Sequence, residues 1–384
     1  MLCRMAAVAP LLSLPPVTTL TLVRDDVAEA LAHAEALVAA NKHGEAVAEL
    51  EELWLNVRSD QALALRQRLA LSWSEMTLGN LEHAAGLLEQ ADGIVRAPRF
   101  DASDRADVLF RRGCVDFQRG NVAEAINELT SAIDLNSQSS APRPLVAANA
   151  HEWRSRCYQF RRDWDAAGND AERALDIALR IADEPAQARA LFQASLVAER
   201  KRDWLVARVN AEQALELFRK QGNTLAVARI LNNLGGIDFL LGDVEAAEEA
   251  LLGAIDSASE AASDVDLAQA VNSLARVLLD SGRPAEARAR ALRAIELLEH
   301  RTDFLDELGN AELLVARSLE ADGEPAEATA WLERAADTCT RLGSSSHLAL
   351  VLVAQGDLAR SSNDADAAAD LYRGATELLQ DLHF

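Results

Sequence analysis

Lysine is almost missing from this chain. Only Lys42, Lys201 and Lys220 occur in 384 residues, so arginine supplies nearly all of the positive charge. Acids outnumber bases 61 to 38, for a formal net charge of −23. A surface of that sign repels phosphate, which excludes general nucleic-acid binding and docking on anionic membranes. Aromatic residues make up only 4%, so the core has to be built from alanine and aliphatic side chains. Cysteine is limited to Cys3, Cys114, Cys157 and Cys339. None forms a C-x-x-C pair or has a histidine at metal-ligand spacing, so they read as reduced and structural. No metal and no cofactor is expected. Long alternations of apolar and polar residues are missing too, which argues against half-buried strands. So are G-x-G-x-x-G, P-loop, H-E-x-x-H and G-x-S-x-G patterns, and the chain reads as a non-enzyme.

Charge is missing from one long stretch, "MAAVAPLLSLPPVTTLTLV", Met5 to Val23. An export signal is one reading of it. Pro10, Pro15 and Pro16 and the lack of a clear A-x-A site favour a loosely packed tail over residues 1–24. The same prolines argue against a membrane-spanning helix. With the charge balance, this fits a soluble cytoplasmic protein.

What the chain has in abundance is a repeat. A small-residue hinge followed five residues on by alanine recurs at Ala46, Ala84, Ala125, Ala167, Ala207, Ala247, Ala287, Ala328 and Ala368. Successive spacings are 38, 41, 42, 40, 40, 40, 41 and 40 residues. Seven residues before each hinge stands another small residue, such as Ser155, Ser195 or Gly235. Twelve residues after it, every copy but the first has alanine, as at Ala254; the first has Leu53. Small residues in register let two helix axes approach closely. Each unit therefore predicts a helix, a tight turn and a second helix. The hinge glycine ends the first helix in a left-handed cap, and the Asp or Asn after it caps the second. Pro284 and Pro325 fall in the first turns of second helices, where a missing N–H costs little. The stretch "NSQSSAPRP", Asn136–Pro144, reads as a turn.

At these offsets the pattern resembles the tetratricopeptide repeat, over residues 25–381. The unit is about 40 residues rather than the family's usual 34, like the long-helix variant of kinesin light chains and of bacterial activator sensor regions. The resemblance implies an all-α fold: one right-handed superhelical solenoid of nine helix pairs spanning residues 25–384, behind the tail. It also implies that the first helix of each pair lines a concave groove, at roughly 13, 10, 9, 6 and 2–3 residues before the hinge.

Those offsets select Arg111 in the third repeat and Asn149, Trp153 and Arg156 in the fourth. Arg189 and Gln193 follow in the fifth, then Arg229, Asn232 and Asn233 in the sixth. Asn272 and Arg276 come from the seventh, and Asn310 and Arg317 from the eighth. An asparagine side chain both donates and accepts, so it can pair with an extended peptide backbone without reading its sequence. Arginine pairs with carboxylates in a planar fork. The expected function is a protein-interaction scaffold that binds an extended, acidic peptide segment. The alternative is a sensor module of a bacterial signalling or transcription-control system, binding a small ligand or signalling peptide. Leu378, Leu379, Leu382 and Phe384 end the last repeat without a further polar capping helix, and such an open end offers a homodimer contact.

Overall fold

The computed structural model describes residues 24–380 apart from residue 302. Residues 1–23 of the tail expected over 1–24, and Leu382 and Phe384, lie outside the described residues, while Arg24 opens the first helix. The chain divides into two compact units, Met1–Pro142 and Arg143–Phe384. The first holds α1 (Arg24–Ala39), α2 (His43–Val57), α3 (Gln61–Thr77), α4 (Leu81–Val95), α5 (Ala102–Gln118) and α6 (Val122–Gln138). The second holds α7 (Pro144–Phe160), α8 (Trp164–Arg180), α9 (Glu184–Arg200), α10 (Trp204–Lys220), α11 (Thr224–Leu240) and α12 (Val244–Glu260). It continues with α13 (Asp264–Asp280), α14 (Pro284–Leu298), α15 (Leu305–Ala321), α16 (Pro325–Leu342), α17 (Ser345–Ser361) and α18 (Ala365–Gln380). The described residues contain no strand. Asn136–Gln138 belong to the last turn of α6, so the Ser/Pro turn is shorter than its composition suggests.

Helices pack in antiparallel pairs, three in the first unit and six in the second. The repeating alanines form the seam. All nine that follow the hinges are buried, and so are the small residues seven before them. Two devices close the seam. At two of its three serines the hydroxyl donates to the facing alanine's carbonyl, Ser155 to Ala167 and Ser195 to Ala207, both at 2.8 Å, while Ser72 donates within its own helix to the Leu69 carbonyl at 2.9 Å. Where it holds glycine, a large side chain fills the space: Leu129 at Gly113, Leu251 at Gly235 and Tyr372 at Gly356. A Cβ on Gly235 would lie 2.4 Å from Leu251 Cγ and 3.2 Å from the Ala247 carbonyl oxygen.

Every hinge residue has positive φ. Five are glycine, such as Gly242 at +86°, but Asn41, Arg162, Arg202 and Asn363 adopt the same left-handed conformation at 58–63°. A side chain there costs about 1 kcal/mol, so the turn geometry is imposed by helix packing at those four. Capping divides by residue type. Asp163, Asp203, Asp243 and Asp364 each accept from the backbone N–H three residues on, at 3.0–3.3 Å. Asn80 and Asn121 make no such cap, contrary to the sequence expectation. Their amides turn back and donate to Glu75 and Asp116 in the preceding helix, at 2.6 and 3.5 Å. A carboxylate cannot donate, so only the asparagines have this choice.

A second left-handed turn joins one pair to the next in the second unit, at Ala182, Gly222, Ala262 and Gly343. The following Asp183, Asn223, Ser263 and Ser344 cap the incoming helix.

In the first unit, burial raises the Glu128 carboxyl to about 7, with the Asp116 carboxylate adding to the shift against the Arg112 guanidinium at 2.7 Å. The folded value lies above the ordinary 4.5, so folding favours the protonated acid. That contribution is complete below pH 4.5 and is lost as pH rises through 7. Glu128→Gln is expected to flatten the slope of the thermal midpoint over that window. An unchanged slope in the variant would show that Glu128 does not titrate there.

Candidate functional site

The odd-numbered helices also pack on one another: α7 on α9, α11 on α13, α13 on α15 and α15 on α17. That extra contact puts them on the inside of the second unit's stack. Between α9, α11, α13 and α15 lies a groove of about 1180 Å³. Its apolar surface comes from Phe192, Leu196, Phe239, Val277 and Phe304. Its polar surface includes Arg229, Asn232, Asn233, Asn272, Arg276 and Asn310, all of which sequence reasoning assigned to a groove.

The polar groups form a ladder running from repeat to repeat. Ser195 Oγ, which donates to the Ala207 carbonyl, lies 3.3 Å from Asn233 Oδ1, and Asn233 Nδ2 donates to Glu199 at 2.5 Å. Arg229 reaches across to Asp266 at 2.7 and 3.3 Å. Asn272 Nδ2 donates to the Glu307 carbonyl at 3.0 Å and to its carboxylate at 3.1 Å, and Gln269 donates to the same carboxylate at 3.2 Å. Two acceptors are left over. Asn232 Oδ1 and Asn272 Oδ1 are buried and have no hydrogen-bond donor among the described residues. These two asparagines stand 40 residues apart, at the same place in consecutive repeats. Because both partners of Asn272 Nδ2 are acceptors, its amide orientation is fixed and the orphan atom is its oxygen.

The groove carries three arginines, Arg200, Arg229 and Arg276, against four carboxylates, Glu199, Asp266, Asp280 and Glu307. Arg229 is neutralised by Asp266. Arg200 and Arg276 are exposed and make no hydrogen bond or ion pair among the described residues. The expected run of arginines is thus mostly engaged within the protein. Arg156 pairs with Glu152 at 2.6 Å and lies over the Trp153 ring at 4.7 Å. Trp153 and Gln193 are themselves buried, and Gln193 accepts from Gln159 at 2.9 Å. Arg189 donates to Asn149 at 2.8 Å. Arg317 is exposed beyond the groove lining, where it opposes the burial that raises the Glu320 carboxyl. In the first unit, Arg111 pairs with Asp107 at 3.0 Å and donates to the Leu69 carbonyl at 3.2 Å.

Sequence reasoning missed Asp266, Glu307 and Phe304. Each stands in or just before the first turn of an odd-numbered helix, outside the offsets that were read. The left-handed turn before α13 and its Ser263 cap are the signals that would have placed Asp266.

Residues 226–300 match the family model described as tetratricopeptide repeat. No curated protein matches the chain by sequence. Solved structures do match by fold. The apo form of RapI superposes with a TM-score of 0.70 at 16% identity, covering 93% of this chain and 98% of that one. The apo form of the quorum sensor NprR from B. thuringiensis gives 0.69 at 14% identity, covering 93% and 100%. A Rap protein complexed with Competence and Sporulation Factor gives 0.62 at 18% identity, covering 93% and 98%. No helix among the described residues is long and apolar enough to cross a membrane. Repeat register, paired helices and the matched family model agree: the chain has a tetratricopeptide-repeat fold, with residues 226–300 matching the family itself.

Proposed function

We propose that this chain is a non-catalytic, cytoplasmic interaction protein that holds an extended peptide segment in the groove between α9 and α15. The observation that carries the reading is the pair of orphan acceptors, Asn232 Oδ1 and Asn272 Oδ1. A buried acceptor without a donor costs about 1–3 kcal/mol. Alternate backbone N–H groups, which share one edge of an extended peptide, would supply donors to both once the side chains turn toward the groove. Phe192, Phe239 and Phe304 offer apolar contacts for side chains between them. Acid preference is confined to the two unpaired cations, Arg200 and Arg276, since the groove as a whole is not basic. A fold of this type accommodates peptides elsewhere: the Rap protein above was solved with Competence and Sporulation Factor, and the Rap conjugation gene regulator of plasmid pLS20 with the Phr* peptide. The likeness to the quorum sensor NprR supports the narrower reading, in which the peptide is a signal and the protein its sensor.

The test is an array of synthetic twelve-residue peptides, acidic, neutral and basic, probed with labelled protein. Wild type should retain a subset. Asn232→Ala and Asn272→Ala should each weaken every retained peptide by roughly 2- to 10-fold, the worth of one neutral hydrogen bond. Arg276→Ala should weaken only the acidic ones, and added salt should do the same. Retention of no peptide, or retention unaffected by either asparagine variant, would overturn the reading.

A further inference from the structure

Six carboxylates are buried among the described residues: Glu75, Glu152, Asp170, Asp238, Asp266 and Glu312. Five of them have an arginine within 3.1 Å: Arg156, Arg154, Arg208, Arg229 and Arg334 respectively. Glu75 on α3 is the exception. At 3% exposure it has no arginine or lysine partner among the described residues. It meets instead His83 Nδ1 of α4, 3.1 Å from its Oε1, while Asn80 Nδ2 holds its Oε2 at 2.6 Å. A third ligand-type group comes from α2. Glu51, Glu75 and His83 each present one donor atom, and the three lie within 4.8 Å of one another.

We propose that Glu51, Glu75 and His83 form a binding site for a zinc-class divalent ion in the first unit. An ionised carboxylate out of water needs a compensating cation, and here the fold supplies ligands where elsewhere it supplies arginine. The donor set is one imidazole nitrogen and two carboxylate oxygens, which suits zinc and its first-row neighbours rather than magnesium or calcium. At metal–ligand distances near 2.0–2.1 Å, adjacent ligands stand about 2.9–3.4 Å apart. The 3.1 Å separation of His83 Nδ1 and Glu75 Oε1 is already an edge of such a polyhedron. Glu51 is exposed, so its side chain is free to swing in and complete a third position. Asn80 plays the orienting part common behind metal-bound carboxylates: its hydrogen bond fixes Oε2 and leaves Oε1 for the ion. Three protein ligands with two exposed side chains leave the remaining coordination to water.

The experiment is calorimetric titration of the chelator-stripped full chain with zinc chloride, repeated with cobalt chloride and read by visible absorption. One saturable site per chain is expected, with magnesium failing to compete at millimolar concentration. His83→Ala and Glu75→Gln should abolish it. Glu75→Gln removes the buried charge, so the variant is expected to fold, and its melting curve checks that. His33→Ala, which removes another exposed histidine–glutamate pair at 2.9 Å, should leave the titration unchanged. Asn80→Ala should weaken it by about 10–100-fold. Absence of saturable uptake, or uptake that survives His83→Ala, would overturn the proposal.

Discussion

Replacing Arg154 with alanine is expected to destabilise the second unit by about 3–5 kcal/mol, because it strands a buried carboxylate. Asp170 is almost wholly buried between α7 and α8. Arg154 grips it with two hydrogen bonds, at 2.7 and 2.8 Å, and His151 Nδ1 lies 2.7 Å from the same oxygen as one of them. Burial alone would push this carboxyl up, but the hydrogen bonds from Arg154 and His151 outweigh it and hold it below the ordinary range. Its folded value is lower than its unfolded one, so its stabilisation is present above the ordinary 3.8 and disappears as pH falls through the folded value. Thermal and urea unfolding of Arg154→Ala at neutral pH measure the loss. The double variant Arg154→Leu with Asp170→Asn should recover most of it, since replacing both partners costs far less than orphaning one. If Arg154→Ala unfolds like wild type, Asp170 is not a buried charge dependent on that arginine.

The second large effect concerns the helix seam. Ala247 is fully buried, and its carbonyl oxygen is within 3.2 Å of where a Cβ on Gly235 would stand. Leu251 already fills the space left by that glycine. Ala247→Leu adds three carbons to a contact with no free volume and should cost roughly 1–3 kcal/mol by overpacking. For a unit of this size each kcal/mol lowers the midpoint by about 2–4 °C. Ala250→Leu, on the same helix but half-buried, serves as the comparison and should cost less. Equal midpoints for the two variants would contradict the seam.

These two effects differ in how far the sequence foretells them. The seam is written in residue type, since only small side chains fit it, and nine copies at near-constant spacing reveal the register. The hinges are almost as legible, and Arg162 and Arg202 show why not wholly. There packing forces a left-handed backbone on a residue whose chemistry does not announce it. Pairing between repeats is harder to read. Arg229 looks free on its own helix, and its partner Asp266 comes 37 residues later, in the first turn of α13. A carboxylate 37 residues away has no periodic mark to single it out, so an arginine stripe expected to await an acidic ligand is largely satisfied within the protein. The orphan oxygens of Asn232 and Asn272 are invisible for the same reason. Their register says groove, but only the assembled helices show which atoms are left without donors. Glu51, Glu75 and His83 match no ligand signature because three successive helices bring them together.

Where a captured peptide lies is the most direct question. A photo-reactive benzoylphenylalanine placed at Phe239, inside the groove, should cross-link to an array-selected peptide after irradiation. The same group at Leu252, exposed on the paired helix α12, should not. Cross-linking at Phe239 that is lost with Asn232→Ala and Asn272→Ala together is the expected result. Cross-linking at Leu252 with none at Phe239 would place the ligand outside the groove and contradict the proposed function.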